Sequence, residues 1–131
     1  MSGLVLWFTG LSGAGKSTIA ELVGGELERA GVAVVVSAIS PYDEARRRSR
    51  ALVERHGTFV LVHVATSLEE CERRDPKGLY AKAHSGEITE FTGVSDPYEA
   101  PEAPELRVET ESRSPEDSAR DVLAYIEGVP A

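Results

Sequence analysis

The run Gly10-Leu11-Ser12-Gly13-Ala14-Gly15-Lys16-Ser17 spells G-x-x-x-x-G-K-S. This spacing lets successive backbone N–H groups turn inward around phosphate oxygens. The glycines permit the wrap, and a helix beginning at the Lys would add the positive end of its dipole. In this pattern Lys16 reaches the β- and γ-phosphates of a nucleoside triphosphate, and the Ser17 hydroxyl takes a Mg²⁺ ion. Phosphoryl transfer also asks for an acid at the C-terminal end of a strand, to hold the metal or its water and to orient an attacking hydroxyl. The candidate strand ends offer Thr9, Ser37-Ala38, Ala65-Thr66 and Glu109-Thr110. The last of these is expected at a sheet edge, away from the phosphate loop. Asp43 and Glu44 are the nearest substitutes. Their place in the first turn of a helix is also explained by the helix dipole.

The smaller signals are weaker. Arg46-Arg47-Arg48 with Arg50 could attract anions, but a solvated helix face is the simpler explanation. His63 sits in an apolar run and reads as structural. His56 and the lone Cys71 lack partners at metal-ligand spacing. Trp7 reads as core.

These residues need a scaffold, and the hydrophobic pattern supplies one. Leu4–Phe8, Val32–Val36 and Phe59–Val64 are continuous apolar runs, the pattern of strands buried on both faces. Between them run helical patterns. Ile19, Leu22, Val23 and Leu27 form one stripe, closed by Gly31 and weakened by Gly24-Gly25. Ser40-Pro41 reads as the cap and first residue of a helix reaching about Arg55. Thr66-Ser67-Leu68-Glu69 opens another helix with a capping-box pattern. Residues 76–105 carry breakers at Gly78, Gly86, Gly93, Pro97, Pro101 and Pro104, which leaves room for one short helix near Leu79–His84. So long an irregular stretch points to a binding loop. Leu106–Glu109 is a short last strand, and Ser114-Pro115 caps a helix with Ala119, Val122, Leu123 and Ile126 inward. Strands alternating with helices predict a three-layer α/β domain spanning residues 1–131, with a mostly parallel sheet.

The 131 residues carry 14 Lys/Arg against 22 Asp/Glu, a net charge of −8. That balance argues against a nucleic-acid surface. The charge is uneven, with 11 basic and 10 acidic residues in 1–86 but 3 and 12 in 87–131. No run approaches the ~18 apolar residues of a membrane span. The start at Met1-Ser2-Gly3 shows no basic leader, and a single cysteine suits a reducing cytoplasm.

With the loop extended to Thr18, the downstream blocks resemble those of adenylylsulfate kinases. Ala38-Ile39-Ser40-Pro41-Tyr42 is similar to the family's I-S-P-Y turn, Cys71-Glu72-Arg73-Arg74-Asp75 to its C-E-x-R-D block, and Lys77-Gly78-Leu79-Tyr80 to its K-G-L-Y block. Gly86-Glu87-Ile88, Phe91-Thr92-Gly93 and Pro97-Tyr98-Glu99-Ala100-Pro101 match its G-E-I, F-T-G and P-Y-E-x-P run. The resemblance implies a P-loop kinase in which Mg²⁺-ATP phosphorylates the ribose 3′-hydroxyl of adenosine 5′-phosphosulfate, giving PAPS and ADP. Gly10, Leu11, Ser12, Gly13, Ala14, Gly15, Lys16, Ser17 and Thr18 would hold the ATP phosphates, and Arg74 would lie against the ATP adenine. Ile39, Ser40, Lys77, Gly78, Leu79, Phe91 and Thr92 would face adenylylsulfate, with Phe91 stacked on its adenine and residues 76–105 acting as a lid. Ser40 is the position sometimes assigned in the family as a phosphoserine intermediate, although in-line transfer needs no covalent step.

One family segment is missing. The strand ending in Asp-Gly-Asp and the following N-I-R-R segment do not occur, and Arg29-Ala30-Gly31 runs directly into Val32. The family order 2-3-1-4-5 therefore shrinks to 3-1-4-5. The segment that carries the catalytic Asp is lost, and an apolar strand becomes an edge. Two consequences are expected: either a kinase or a nucleotide-binding module without turnover, and a homodimer or higher oligomer that buries the edge. A kinase for another small acceptor is a third reading.

Overall fold

The computed structural model describes residues 4–30 (backbone only for 25–30), 34–55 and 57–129. The expected Gly31 stop, Val32, Ala33 and His56 lie outside the described residues, as does the Leu27 side chain. The elements in order are β1 (Leu4–Thr9), α1 (Lys16–Ala30), β2 (Val34–Ser37), α2 (Asp43–Glu54), β3 (Thr58–Val64), α3 (Leu68–Arg74), α4 (Leu79–His84), β4 (Leu106–Val108) and α5 (Pro115–Glu127). The strands form one parallel sheet in the order β2-β1-β3-β4. This is the α/β P-loop arrangement, with the shortened order expected from the missing segment.

Strand alternation sorts the side chains into two layers. On one face Leu4, Leu6, Phe8, Val60, Val62, Val64 and Val108 are buried against Ile19 and Val23 of α1 and Ala119, Val122 and Ile126 of α5. Leu22, expected on that inner stripe, is 38% exposed. The other face carries Phe59 and Leu61, both buried, beside the half-buried Val5, Trp7 and His63. Helix α2 packs there against β3. Among the described residues no second helix covers this face over β1 and β2, and Val34, in register with Val5 at the edge, is 59% exposed. Trp7 is thus a half-buried residue on the thinner layer. Its indole N–H donates to Ser40 Oγ at 3.0 Å, and its ring lies 5.8 Å from that of Phe59.

Local chemistry explains most element ends. The Ser114 hydroxyl accepts from Asp117 N, with Pro115 in the first turn of α5. The Ser67 hydroxyl likewise accepts from Glu70 N. The reciprocal half of that capping box does not come from Glu70, which is held by Arg73 and Arg74. Glu111, past the end of β4, takes the Ser67 N–H at 2.7 Å.

The expected start of α2 is corrected. The helix begins at Asp43 after Tyr42, with no side-chain cap, and Ser40 stands apart at φ +43°. The Ser40 hydroxyl bonds Ala38 O and accepts from Trp7, so it has no role at the helix end. The arginine run also departs from expectation. Arg47 and Arg48 are solvated, whereas Arg46 is 2% exposed and Arg50 stacks on the Phe59 ring at 4.7 Å while pairing with Glu105 at 2.6 Å. No helix among the described residues is long and apolar enough to cross a membrane.

Candidate functional site

The phosphate loop occupies the bend from β1 to α1, where Phe8 and Thr9 are fully buried and the chain reverses into the Lys16 helix. Two close approaches demand glycine. A Cβ on Gly10 would come within 2.6 Å of Val64 O, and Gly15 adopts φ +106°. Ala14 N closes the loop on Leu11 O at 3.1 Å.

Other segments fix this loop from outside. The Ala14 carbonyl accepts from Thr66 Oγ1 at 2.9 Å, Thr110 Oγ1 at 3.1 Å and Arg74 Nη1 at 3.3 Å. The Ser12 carbonyl accepts from the Tyr80 hydroxyl at 2.8 Å. Arg74 also donates to Gly13 O and Thr110 O, while Glu70 holds its Nε at 2.8 Å. Hydrogen bonds from Arg73 and then Arg74 hold the Glu70 carboxyl down at about 2. Thr110 overturns the expectation for the last strand. β4 is indeed the edge, but Val64 pairs in register with Val108, so the chain leaves the sheet beside Thr66 and reaches the loop. Two threonines just past neighbouring parallel strands were the available signal.

Lys16 is almost buried and donates to Leu11 O at 2.7 Å. Desolvation is the main cause that brings its ammonium down to about 8; Cys71 opposes that shift and Lys77 adds to it. Burial pushes the neighbouring Cys71 thiol up. Among the described residues no cluster of three His, Cys, Asp or Glu is placed to hold a metal ion. The exposed Ser17 hydroxyl fits a Mg²⁺ that arrives on a nucleotide and keeps its waters, since that ion commonly takes only one or two protein ligands.

A cavity of 810 Å³ opens in front of the loop. Its walls bring together Ser12, Gly13, Gly15, Lys16, Ser17 and Thr18 with Ile39, Arg74, Lys77 and Leu79 from three of the downstream blocks. Thr110 and Arg113 complete the far side. Among the described residues four cations line it (Lys16, Arg74, Lys77, Arg113) and no carboxylate does. Gly10, Leu11 and Ala14 lie behind the loop surface. Ser40, Gly78, Phe91 and Thr92 stand outside the walls. Phe91 packs edge-on against Tyr80, with ring centroids 5.0 Å apart, and Thr92 bridges to Asp96. Asp43 is engaged by Arg47 at 2.6 Å and Glu44 faces Arg48, so both acids serve their own helix.

A glycine-rich loop joining a central parallel strand to a helix, with a Lys and a Ser at its end, defines a P-loop nucleotide-binding fold. The comparisons narrow this class. The family model described as adenylylsulphate kinase matches residues 2–29 and 22–109. An adenylyl-sulfate kinase of Staphylococcus epidermidis is 39% identical over 166 positions, covering 93% of this chain and 83% of that protein. A sulfate adenylyltransferase of Chaetomium globosum is 49% identical over 105 residues, 80% of this chain, yet the chain spans only 18% of that protein's length. The solved APS kinase CysC of Mycobacterium tuberculosis, in complex with AMPPNP and APS, superposes with a TM-score of 0.86 at 35% identity, covering 96% of this chain and 98% of that one.

The chain belongs to the adenylylsulfate kinase family. It is a shortened member. Of the 166 positions aligned with the Staphylococcus kinase, 93% of 131 residues fills about 122, leaving about 44 without a counterpart here. The family model breaks into its two spans at residues 22–29, directly before β2.

Proposed function

We propose that this chain transfers the γ-phosphoryl group of ATP to the ribose 3′-hydroxyl of adenosine 5′-phosphosulfate, producing PAPS and ADP. The observation that carries this reading is the shared cavity. The phosphate loop, the I-S-P-Y turn, the C-E-x-R-D block and the K-G-L-Y block, spread along the chain, all contribute to one set of walls. In this reading Gly10–Thr18 cradle the ATP phosphates and Arg74 flanks the ATP base. Ile39, Lys77 and Leu79 meet the acceptor directly. Ser40, Gly78, Phe91 and Thr92 join them when residues 76–105 close as a lid over the same domain. Ser17 would hold Mg²⁺, which would supply positive charge to offset that of the phosphates during transfer.

Transfer through a loose transition state asks more for charge and alignment than for a base. Lys16 and Lys77 supply positive charge where the phosphoryl oxygens pass. Ser40 needs no covalent role, because its hydroxyl is already bonded to Trp7 and Ala38. The exposed, uncharged β2 edge supports a further reading, a homodimer or higher oligomer that covers it. A monodisperse monomer by light scattering at micromolar concentration would refute that part. The reaction belongs to sulfate activation in a reducing cytoplasm, in keeping with a single buried thiol.

The test is an endpoint assay with Mg²⁺-ATP and adenylylsulfate, resolving PAPS and ADP chromatographically beside Lys16→Ala. PAPS above that control is the expected result. ADP without PAPS would point to another acceptor, and neither product would leave a nucleotide-binding module.

A further inference from the structure

Arg46 is the most buried charged side chain on the thinner layer, and the phosphate loop does not use it. It rises from the first turns of α2 at 2% exposure. Its Nη1 donates to Ser40 O at 2.6 Å and its Nη2 to Glu99 O. The guanidinium lies 5.7 Å from the centre of the Tyr98 ring, and Nε has no partner. Among the described residues Asp43, 3.5 Å away, is the carboxylate paired with it.

These bonds join two distant segments around a strained residue. Ser40 holds φ +43°, a conformation that costs about 1–3 kcal/mol for residues other than glycine and persists only where its surroundings enforce it. The contacts that hold it here are Trp7 on the Ser40 hydroxyl, that hydroxyl on Ala38 O, and Arg46 with Thr9 Oγ1 on the Ser40 carbonyl. The other segment is fastened in parallel. Glu99 N donates to Pro41 O at 2.8 Å, Asp43 N donates to Glu99 Oε1 at 2.8 Å, and the Tyr98 hydroxyl meets Thr9 Oγ1 at 2.8 Å. Thr9 Oγ1 also lies 2.6 Å from Ile39 O, and Ile39 lines the cavity.

We infer that Arg46 and Tyr98 are positioning residues, a clasp that fixes the Ala38–Ser40 wall of the cavity and ties it to the Tyr98–Glu99 end of the 76–105 segment. The clasp sets affinity for the acceptor nucleotide, because the wall it holds is the one opposite the phosphate loop's own supports. The ATP side is braced separately by Thr66, Thr110, Arg74 and Tyr80, so its affinity does not depend on the clasp. Lys cannot replace Arg46, since a single ammonium cannot lie over Tyr98 and span both carbonyls with a planar fork.

The inference rests on the adenylylsulfate reading, and the experiment separates the two. Full-length wild type, Arg46→Lys and Tyr98→Phe are compared by calorimetry with ATP and with adenylylsulfate, and by steady-state kinetics. Both variants are expected to raise the adenylylsulfate Kd and KM about tenfold, the effect of losing one well-placed hydrogen bond, with ATP Kd held within about twofold. Tyr98→Phe keeps the ring and removes only the hydroxyl, so it remains informative if Arg46→Lys folds poorly. Equal weakening toward both nucleotides, or no change toward either, would overturn the clasp. If wild type binds ATP but not adenylylsulfate, the acceptor assignment fails, and hydrogen exchange then judges the clasp. Arg46→Lys must speed exchange at Asp43 N and Glu99 N together. Acceleration at only one of them, or at neither, would refute the coupling.

Discussion

The two sides of the cavity are built to different standards. On the phosphate side the Ala14 carbonyl alone receives three donors, from segments as far along the chain as Thr110. On the side proposed for the acceptor, the wall is held by Arg46, Trp7 and Thr9 around a strained serine, beneath a sheet face that α2 covers in part. The break in the family match falls at residues 22–29, ahead of β2, the edge strand on that second side. The loop thus keeps its supports in a chain that lacks about 44 of the positions aligned with the Staphylococcus kinase. The central strand and its two flanking connections carry that loop, and they remain intact.

This contrast can be tested most forcefully at Lys16. Lys16→Met should weaken ATP binding about a hundredfold by calorimetry, the scale of a lost charged hydrogen bond in a buried site. The same variant should unfold at no lower temperature than wild type without nucleotide. Burial holds the folded Lys16 ammonium near 8, below its ordinary 10.5, so the folded chain binds this proton less tightly than the unfolded chain does. The cost of the buried charge is therefore present at neutral pH and fades as pH rises through 8 to 10.5. A large drop in melting temperature would show that the lysine braces the loop instead.

Thr110→Val should act on the same side more mildly. It removes a hydroxyl that serves Ala14, Thr66 and Arg74 at once, and should cost about 1–2 kcal/mol in urea unfolding and up to about tenfold in ATP affinity. Unchanged ATP affinity would mean that Thr66 alone suffices. Away from both sides, Gly24 lies within α1 with open space where a Cβ would stand. Gly24→Ala should add about 0.5–1 kcal/mol of stability with no effect on either nucleotide.

An effect confined to acid pH concerns His63 on the thinner layer. Burial, then Arg107 and Arg46, hold its imidazole near 4, so the folded chain binds fewer protons than the unfolded chain between about pH 4 and 6.5. Stability should fall as pH drops through that window, and His63→Gln should flatten the slope in pH-dependent chemical unfolding.

The sequence made the phosphate side readable because its signals are local. The glycine spacing, the apolar runs, the Ser67 and Ser114 caps and the short α4 each depend on neighbours a few residues away. What it hid are contacts made through backbone acceptors far along the chain. Nothing in Arg46-Arg47-Arg48 marks the first as buried, because its partners are carbonyls, which every residue possesses. Ser40-Pro41 carries a helix-cap signature, yet the serine is spent on Trp7 and Ala38. Thr110 was misplaced because a short edge strand says little about where the chain goes when it leaves the sheet. The register of Val64 with Val108 decides that, and register is a property of the assembled sheet.

The Glu111 bond to Ser67 N, with its neighbour Thr110 on Ala14, has a consequence for how the protein comes into being. Thr66, Arg74 and Tyr80 brace the phosphate loop from mid-sequence, but its most distant brace, Thr110, lies 96 residues beyond Ala14. Closing a loop of that length is a late event in folding, paid in chain entropy before it returns contacts. The loop's full set of supports is therefore complete only once that long-range contact has closed.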